Sequence, residues 1–185
     1  MINGERINLR PTEQKDMELL RKWRNAYATN FGDAGYITKE QQKMFYDKYQ
    51  ESHTDRMFLI ELKDGTPIGT IAIYNISTTD RSADVGRVII IDEQRGRGYA
   101  EEAVKLICTV ADKMRLYKTR VWAYLDNLDA IAVYSRCGFK AGRPRLYLER
   151  VNDDANWRDS IKIESYDDLS GEHGHEGQND NVVPN

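Results

Sequence analysis

The stretch from Val85 to Ala100 constrains this chain more than any other. An apolar run, Val88-Ile89-Ile90-Ile91, ends in a short turn carrying Arg95, Gly96, Arg97 and Gly98, and an amphipathic pattern starts at once with Tyr99-Ala100. A strand that stops at a glycine turn and restarts as a helix aims several free backbone N–H groups, and the positive end of a helix dipole, at one point. Such a point suits a phosphate or a pyrophosphate. The two glycines let main chain approach the anion, and the two arginines add charge.

Two familiar phosphate loops are excluded by their own chemistry. A Walker loop closes on Gly-Lys-Ser/Thr, which Gly98-Tyr99-Ala100 does not supply. A dinucleotide fingerprint wants a third glycine where this chain has Glu101, and an early βαβ unit where this chain reads as a meander.

The rest of the chain has the periodicity of one mixed domain. Strands are predicted over 6–10, 57–62, 68–74, 83–91 and 119–125. Asp64-Gly65 is a hairpin signal between the second and third of these. Helices are predicted over 16–23, over 38–49 with Thr38 and Gln41 as a capping box, over 99–114, and over 130–136 with Gly138 as its stop. A final hairpin is expected from 147–151 and 157–165. The stretch 166–185 is poor in apolar residues and reads as an acidic, disordered tail after a folded domain of 1–165.

Charge narrows the class further. The net charge is -3, and the five acids after Tyr166 more than account for it. A near-neutral body offers no steering field for nucleic acid. No apolar run is long enough for a bilayer, and Met1 to Arg6 carries no apolar leader, so neither membrane nor secretion is expected and the location predicted is cytoplasmic. Cys108 and Cys137 have no metal spacing and read as reduced thiols in or near a core. His173 and His175 are two ligands on a tail, and no metal site is expected.

Two motifs together point to a family. Arg95-x-x-Gly98-x-Ala100 resembles the Arg/Gln-x-x-Gly-x-Gly/Ala loop of the GCN5-related N-acetyltransferase (GNAT) superfamily. Downstream, Asn127, Ala130, Tyr134 and Gly138-Phe139 follow the family's Asn-x-x-Ala-x-x-x-Tyr-x-x-x-Gly-Phe spacing. The resemblance runs from Arg6 to Ser165. It implies an α/β (α+β) fold whose central mixed, mostly antiparallel sheet is splayed between its fourth and fifth strands and flanked by helices.

The resemblance also implies a chemistry: acetyl transfer from acetyl-CoA to a primary amine by direct attack in a ternary complex. Such a reaction needs a neutral amine, a donor for the oxyanion and a proton for the leaving thiolate. By resemblance, the pantetheine arm pairs with backbone near Val88, Ile89 and Ile90, and an N–H of Ile89 or Ile90 polarises the thioester. The pyrophosphate rests on Arg95, Gly96, Arg97, Gly98, Tyr99 and Ala100. Asn127 binds the pantetheine arm or holds its loop. Tyr134 lies against the cofactor as the acid, because a phenol keeps its proton at neutral pH. Asp84 is the first candidate for a base and Glu61 a weaker one; some relatives use water and backbone alone.

The helix–loop after 16–23 covers the acceptor in this family. Arg24, Asn25 and Arg87 are the candidate acceptor contacts, with Trp23 expected in the core. The pattern resembles the ribosomal-protein-alanine, spermidine and nucleotide-amino-sugar branches, whose acceptors differ in charge. The acceptor expected is a small-molecule amine such as a polyamine or a nucleotide-linked amino sugar. The alternatives are a protein N-terminus, or an acyl-CoA-binding module without catalysis. Family members often pair, so a homodimer is the corresponding expectation.

Overall fold

The computed structural model describes residues 1–31 and 35–142. The predicted hairpin of 147–151 and 157–165, and the tail 166–185, lie outside the described residues. Among the described residues, six strands form one sheet in sequence order: β1 (Ile2–Asn3), β2 (Ile7–Pro11), β3 (Arg56–Leu62), β4 (Pro67–Ser77), β5 (Ser82–Ile90) and β6 (Lys118–Val121). Neighbours are antiparallel except β5 and β6, which run parallel. Parallel neighbours need a long crossover, and α3 (Tyr99–Lys113) supplies it. Two helices, α1 (Met17–Ala26) and α2 (Lys39–Glu51), join β2 to β3, and α4 (Leu128–Arg136) follows β6.

Helices cover both faces of the sheet, so β3 reads Met-Phe-Leu-Ile without polar alternation. Phe58 and Ile60 face Val104 and Ile107 of α3 in one core with Ile7, Ile71, Ile73 and Val85. Met57 and Leu59 face the other way, with Met17 and Leu20 of α1 and the partly buried Trp23, Phe45 and Tyr49. Each fully buried Ile or Leu contributes roughly 1.5–3 kcal/mol, so the sheet is pinned from both sides.

Local signals end these elements as their chemistry requires. Thr38 caps α2 by accepting from Gln41 N, and the Gln41 side chain accepts from Thr38 N at 2.9 Å. Gly65 takes φ +85° at the hairpin between β3 and β4. Gly138 takes φ +89° after α4, with Phe139 N donating to Tyr134 O and Gly138 N to Ser135 O, both at 3.0 Å. That pair of bonds is a Schellman stop. Among the described residues, no helix is long and apolar enough to cross a membrane.

One irregularity positions the site. Ala72 pairs with Gly86 and Thr70 with Ile89, so β5 carries one extra residue against β4. Arg87 sits in that bulge at φ +52°, and its carbonyl accepts from Thr70 Oγ1 at 2.7 Å. The insertion resets the alternation: Ala83 and Val85 face the α3 core before it, Val88 and Ile90 after it. Gly69 is required beside it, because a Cβ there would stand 2.0 Å from Ile89 O.

Candidate active site

The wedge opens where the parallel pairing ends. β5 pairs with β6 from Ser82↔Lys118 to Val85↔Val121 and no further. The predicted strand 119–125 is therefore short: Trp122, Tyr124 and Leu125 leave the sheet and are exposed. Among the described residues, the N–H and C=O groups of β5 beyond Val85 have no strand beside them on that side. Their direction follows from the ladder. Ile91 N donates to Ile68 O at 2.9 Å, so residues 91 and 68 face each other through hydrogen bonds. By alternation Ile90 turns both main-chain groups away from β4. Consistent with this, Ile90 O accepts from Arg95 Nε at 3.1 Å. Of the two N–H groups named from sequence, that of Ile90 points into the wedge, and that of Ile89 points towards β4.

The turn after β5 is built to leave donors open. Gln94 N and Arg95 N close a single 3₁₀ turn onto Ile91 O and Asp92 O. Gly96 and Gly98 then take φ +72° and +80°, a conformation that glycine adopts without strain. Glu102 N is the first in the helix to find a carbonyl, Gly98 O at 3.1 Å. Ahead of it, the N–H groups of Gly96 to Glu101 donate to nothing among the described residues. The carbonyls of the turn are instead occupied: Arg6 donates to Arg97 O at 2.7 Å and to Gly98 O at 3.4 Å. Arg6 is held in turn by Glu102, whose carboxylate also accepts from the N–H groups of Arg6 and Ile7 at 2.8 and 3.2 Å. Burial pushes the Glu102 pKa up, but these donors win and hold it below the usual carboxylate range.

The two arginines of the motif have different surroundings. Arg97 is exposed and pairs with no acid among the described residues. Arg95 ties the turn to β5 through Ile90 O, pairs with Asp92 at 3.1 Å and stacks 5.0 Å over the Tyr27 ring. The Tyr27 hydroxyl also accepts from Asp92 N at 3.1 Å. Arg95 shapes the loop as much as it charges it.

Tyr134 comes from α4 and is mostly enclosed, packed edge-on to Phe139 with ring centroids 6.0 Å apart. Burial, then the neighbouring Tyr74, pushes its phenol above the usual pKa of about 10. Tyr74 lies on the far side of the β5 bulge, and a Cβ on Gly86 would meet its hydroxyl at 2.9 Å. Asn127 caps α4 by accepting from Ala130 N at 3.1 Å, so it holds the loop.

A cavity of ≈ 600 Å³ adjoins the bulge on the α1–α2 side of the sheet. Arg24, Phe45, Thr70, Arg87 and Ile89 are among the residues lining it, as is the segment Gly35–Tyr36–Ile37. Arg87 donates to Asp55 at 2.8 Å and lies over the rings of Tyr74 and Phe45 at 4.7 and 5.6 Å. Arg24 reaches the same cavity from α1, and burial lowers its pKa.

Three residues named from sequence have other work. Asn25 spends its amide on the Ile37 backbone, accepting from Ile37 N at 2.8 Å and donating to Ile37 O at 3.0 Å. It ties α1 to the segment before α2 rather than presenting a group to an acceptor. Asp84 is 7% exposed and accepts from Asn75 and Arg120 at 2.9 and 2.8 Å, one donor per oxygen. Glu61 is buried in a network with Arg10 at 2.7 Å, and neither acid lines the cavity. A base needs a lone pair facing the amine, and these carboxylates are committed elsewhere.

Arg6, Glu102, Tyr74 and Asp55 were not singled out from sequence. Arg6 and Glu102 stand 96 residues apart, and local spacing carries no trace of their contact. An acid in the first turn of the helix, three residues after Tyr99, was the one legible half of that pair.

Comparison with known proteins agrees with this geometry. The profile of the Acetyltransferase (GNAT) domain matches residues 6–140. Spermidine N(1)-acetyltransferase of Vibrio cholerae is 23% identical over 139 residues, which is 74% of this chain and 80% of that protein. The crystal structure of the Vibrio cholerae spermidine N-acetyltransferase in complex with CoA and spermine superposes with a TM-score of 0.69 at 22% identity, covering 74% of this chain and 83% of that one. A dodecameric structure of the same enzyme in an intermediate state gives a TM-score of 0.63 at 23% identity over 73% of this chain and 80% of that chain. With the family profile spanning most of its length, this chain belongs to the GNAT acetyltransferases, enzymes that take their acetyl group from acetyl-CoA.

Proposed function

We propose that this protein moves the acetyl group of acetyl-CoA to a primary amine of a small molecule, by direct attack in a ternary complex. The observation that carries the reading is the run of N–H groups from Gly96 to Glu101 that find no acceptor among the described residues, one strand-end away from the Ile90 N–H and the Arg87–Ile89 wall of the cavity. The residues present fit the coenzyme: amides for its diphosphate, carbonyls of the same turn neutralised by Arg6, and the exposed Arg97 for added charge. Beyond Val85 the free edge of β5 accepts an extended arm by backbone pairing, as an added strand would.

Each demand of the reaction then has a group. The Ile90 N–H stabilises the developing oxyanion. As the C–N bond forms and the C–S bond breaks, the amine loses a proton and the thiolate takes one. Tyr134 supplies the latter, since its raised pKa keeps the phenol protonated at neutral pH. With Asp84 and Glu61 tied up, water in the cavity accepts the amine proton. The supporting second reading of the acceptor is a polyamine, favoured by the spermidine enzyme among the relatives.

Release of free thiol from acetyl-CoA tests the reading, measured with polyamines, amino sugars, amino acids and peptides with free N-termini. The expected result is amine-dependent thiol release with an acetylated amine by mass spectrometry. Tight acetyl-CoA binding with no amine accelerating release would instead identify a non-catalytic binding module.

A further inference from the structure

The mouth of the wedge holds a second phenol, which the reaction as described leaves unused. Tyr74 of β4 stands opposite Asp84 of β5, and its side chain packs on the α1–α2 side of the sheet with the cluster around Met57, Leu59 and Ala72. Its ring lies across onto β5: a Cβ on Gly86 would stand 2.9 Å from the hydroxyl and 3.2 Å from Cε1. Gly86 comes directly after Val85, the last residue of β5 to pair with β6. The hydroxyl therefore sits where the two parallel strands part. Arg87, paired with Asp55, lies over the same ring at 4.7 Å and holds it in place. Neighbouring phenols spend their hydroxyls inside the fold. Those of Tyr27 and Tyr49 accept from the N–H groups of Asp92 and Met57, and that of Tyr36 accepts from Arg21. The Tyr74 hydroxyl makes no hydrogen bond among the described residues, although it is half-buried. Burying a hydroxyl without one is unfavourable, so its position asks for a partner.

Tyr134 belongs to the other face, where it packs against the α3 core. The two phenols approach the gap between β5 and β6 from opposite sides, close enough for Tyr74 to help raise the Tyr134 pKa. The cavity of ≈ 600 Å³ opens on the Tyr74 side, where Thr70, Arg87 and Ile89 line it. Resting on the acetyltransferase reading, we infer that Tyr74 is a further catalytic residue, whose hydroxyl oxygen accepts a hydrogen bond from the acceptor's amine and turns the nitrogen lone pair towards the thioester carbon. The attacking nitrogen and the proton donor for the sulfur then stand on opposite faces of the thioester. A phenol suits this work, having acceptor lone pairs as well as an O–H donor. Burial, and then Asp84, push its pKa up, so it stays neutral and orients the amine without taking its proton. That proton passes to water in the cavity, and the Tyr74 O–H donates to the same water. Holding the amine in line for attack raises the rate more than the affinity.

The test is Tyr74→Phe in the full chain, assayed by thiol release with the most active amine of the panel. The expected result is a kcat/KM for that amine lower by about tenfold or more, carried mainly by kcat. Acetyl-CoA affinity by calorimetry should stay within about twofold, and the thermal midpoint should hold. A merely structural role would instead move the midpoint and the acetyl-CoA affinity together. Gly86→Ala is the second variant: its Cβ displaces the hydroxyl and should lower kcat by a similar factor. Added to Tyr74→Phe, it should cost less than it does alone, because the two changes remove the same contact. A kcat/KM for Tyr74→Phe within about twofold of the unmutated protein overturns the inference. So does a loss that follows weakened acetyl-CoA binding, and the acetyltransferase reading survives either result. Should Tyr74→Phe fail to fold, unchanged turnover in Gly86→Ala overturns the inference in its place. If the unmutated protein releases no thiol with any amine, the acetyltransferase reading fails and this inference falls with it.

Discussion

Two arginines at either end of one short strand do opposite things. Arg10, in β2, joins Asp16 at 2.9 Å and Glu61 at 2.7 Å, and every charge in that corner is answered within the chain. Arg6, just before β2, answers the carbonyls of the Arg97–Gly98 turn and leaves the amides beside them unanswered. The first arrangement is closed and belongs to the fold. The second leaves donors that find no acceptor among the described residues, and these are the donors proposed for the diphosphate. The same difference separates the two sides of the sheet: β3 and β4 have paired strands on both edges, whereas β5 gives up its neighbour after Val85. Backbone donors left over beside a rigid sheet are where a ligand is to be sought.

Breaking the closed corner should have the largest effect. Arg10→Met strands two buried carboxylates, and urea unfolding should show a loss of about 3–5 kcal/mol. Its pH dependence sharpens the point. Burial pushes the Asp16 pKa up, but the hydrogen bonds from Arg10 and Glu13 N hold it below the usual range. That contribution is fully present above the unfolded pKa of about 3.9 and is lost as pH falls through the lower folded value. The acid transition of the unmutated protein should therefore lose this component in Arg10→Met.

The open side should respond in function before stability. Tyr134→Phe removes the proposed acid and should lower kcat on the order of a hundredfold, with acetyl-CoA affinity within about twofold by calorimetry. An unchanged kcat would remove Tyr134 from the mechanism. Arg6→Ala should free the carbonyls of residues 97 and 98 and loosen the turn, weakening acetyl-CoA about tenfold for about 1 kcal/mol of stability. A loss of stability of similar size is expected of Gly96→Ala. Its Cβ would meet nothing within 4 Å, so only the left-handed φ of +72° is penalised, by roughly 1–2 kcal/mol in thermal unfolding.

The parts of the fold that could be read from sequence are those with local causes. The capping box at Thr38–Gln41, the turn at Gly65 and the stop at Gly138 each lie within a few residues of the bond they make. The helix predicted over 99–114 is α3, within one residue, because its apolar face and its charged ends agree. The glycine turn was readable for the same reason. Contacts across the fold were not. The apolar run 88–91 hides the bulge at Arg87, since buried strands on both faces give no alternation to interrupt. Asp84 looked available because Arg120 lies 36 residues on, in a strand that reaches it only by parallel pairing. Asn25 looked like a ligand contact because its partner is main chain, which carries no sequence signal. Thus the glycine turn of residues 95–100 was legible, and the cavity assembled from α1, α2 and the bulge was not.

Amide hydrogen exchange with and without acetyl-CoA tests the central claim most directly, because it reads the unanswered donors themselves. N–H groups with no partner exchange fast, so those of Gly96 to Glu101 should be unprotected in the free protein and slow strongly on binding, with Ile90 following. Binding of acetyl-CoA with those amides still exchanging freely, and protection arising elsewhere, would contradict the account.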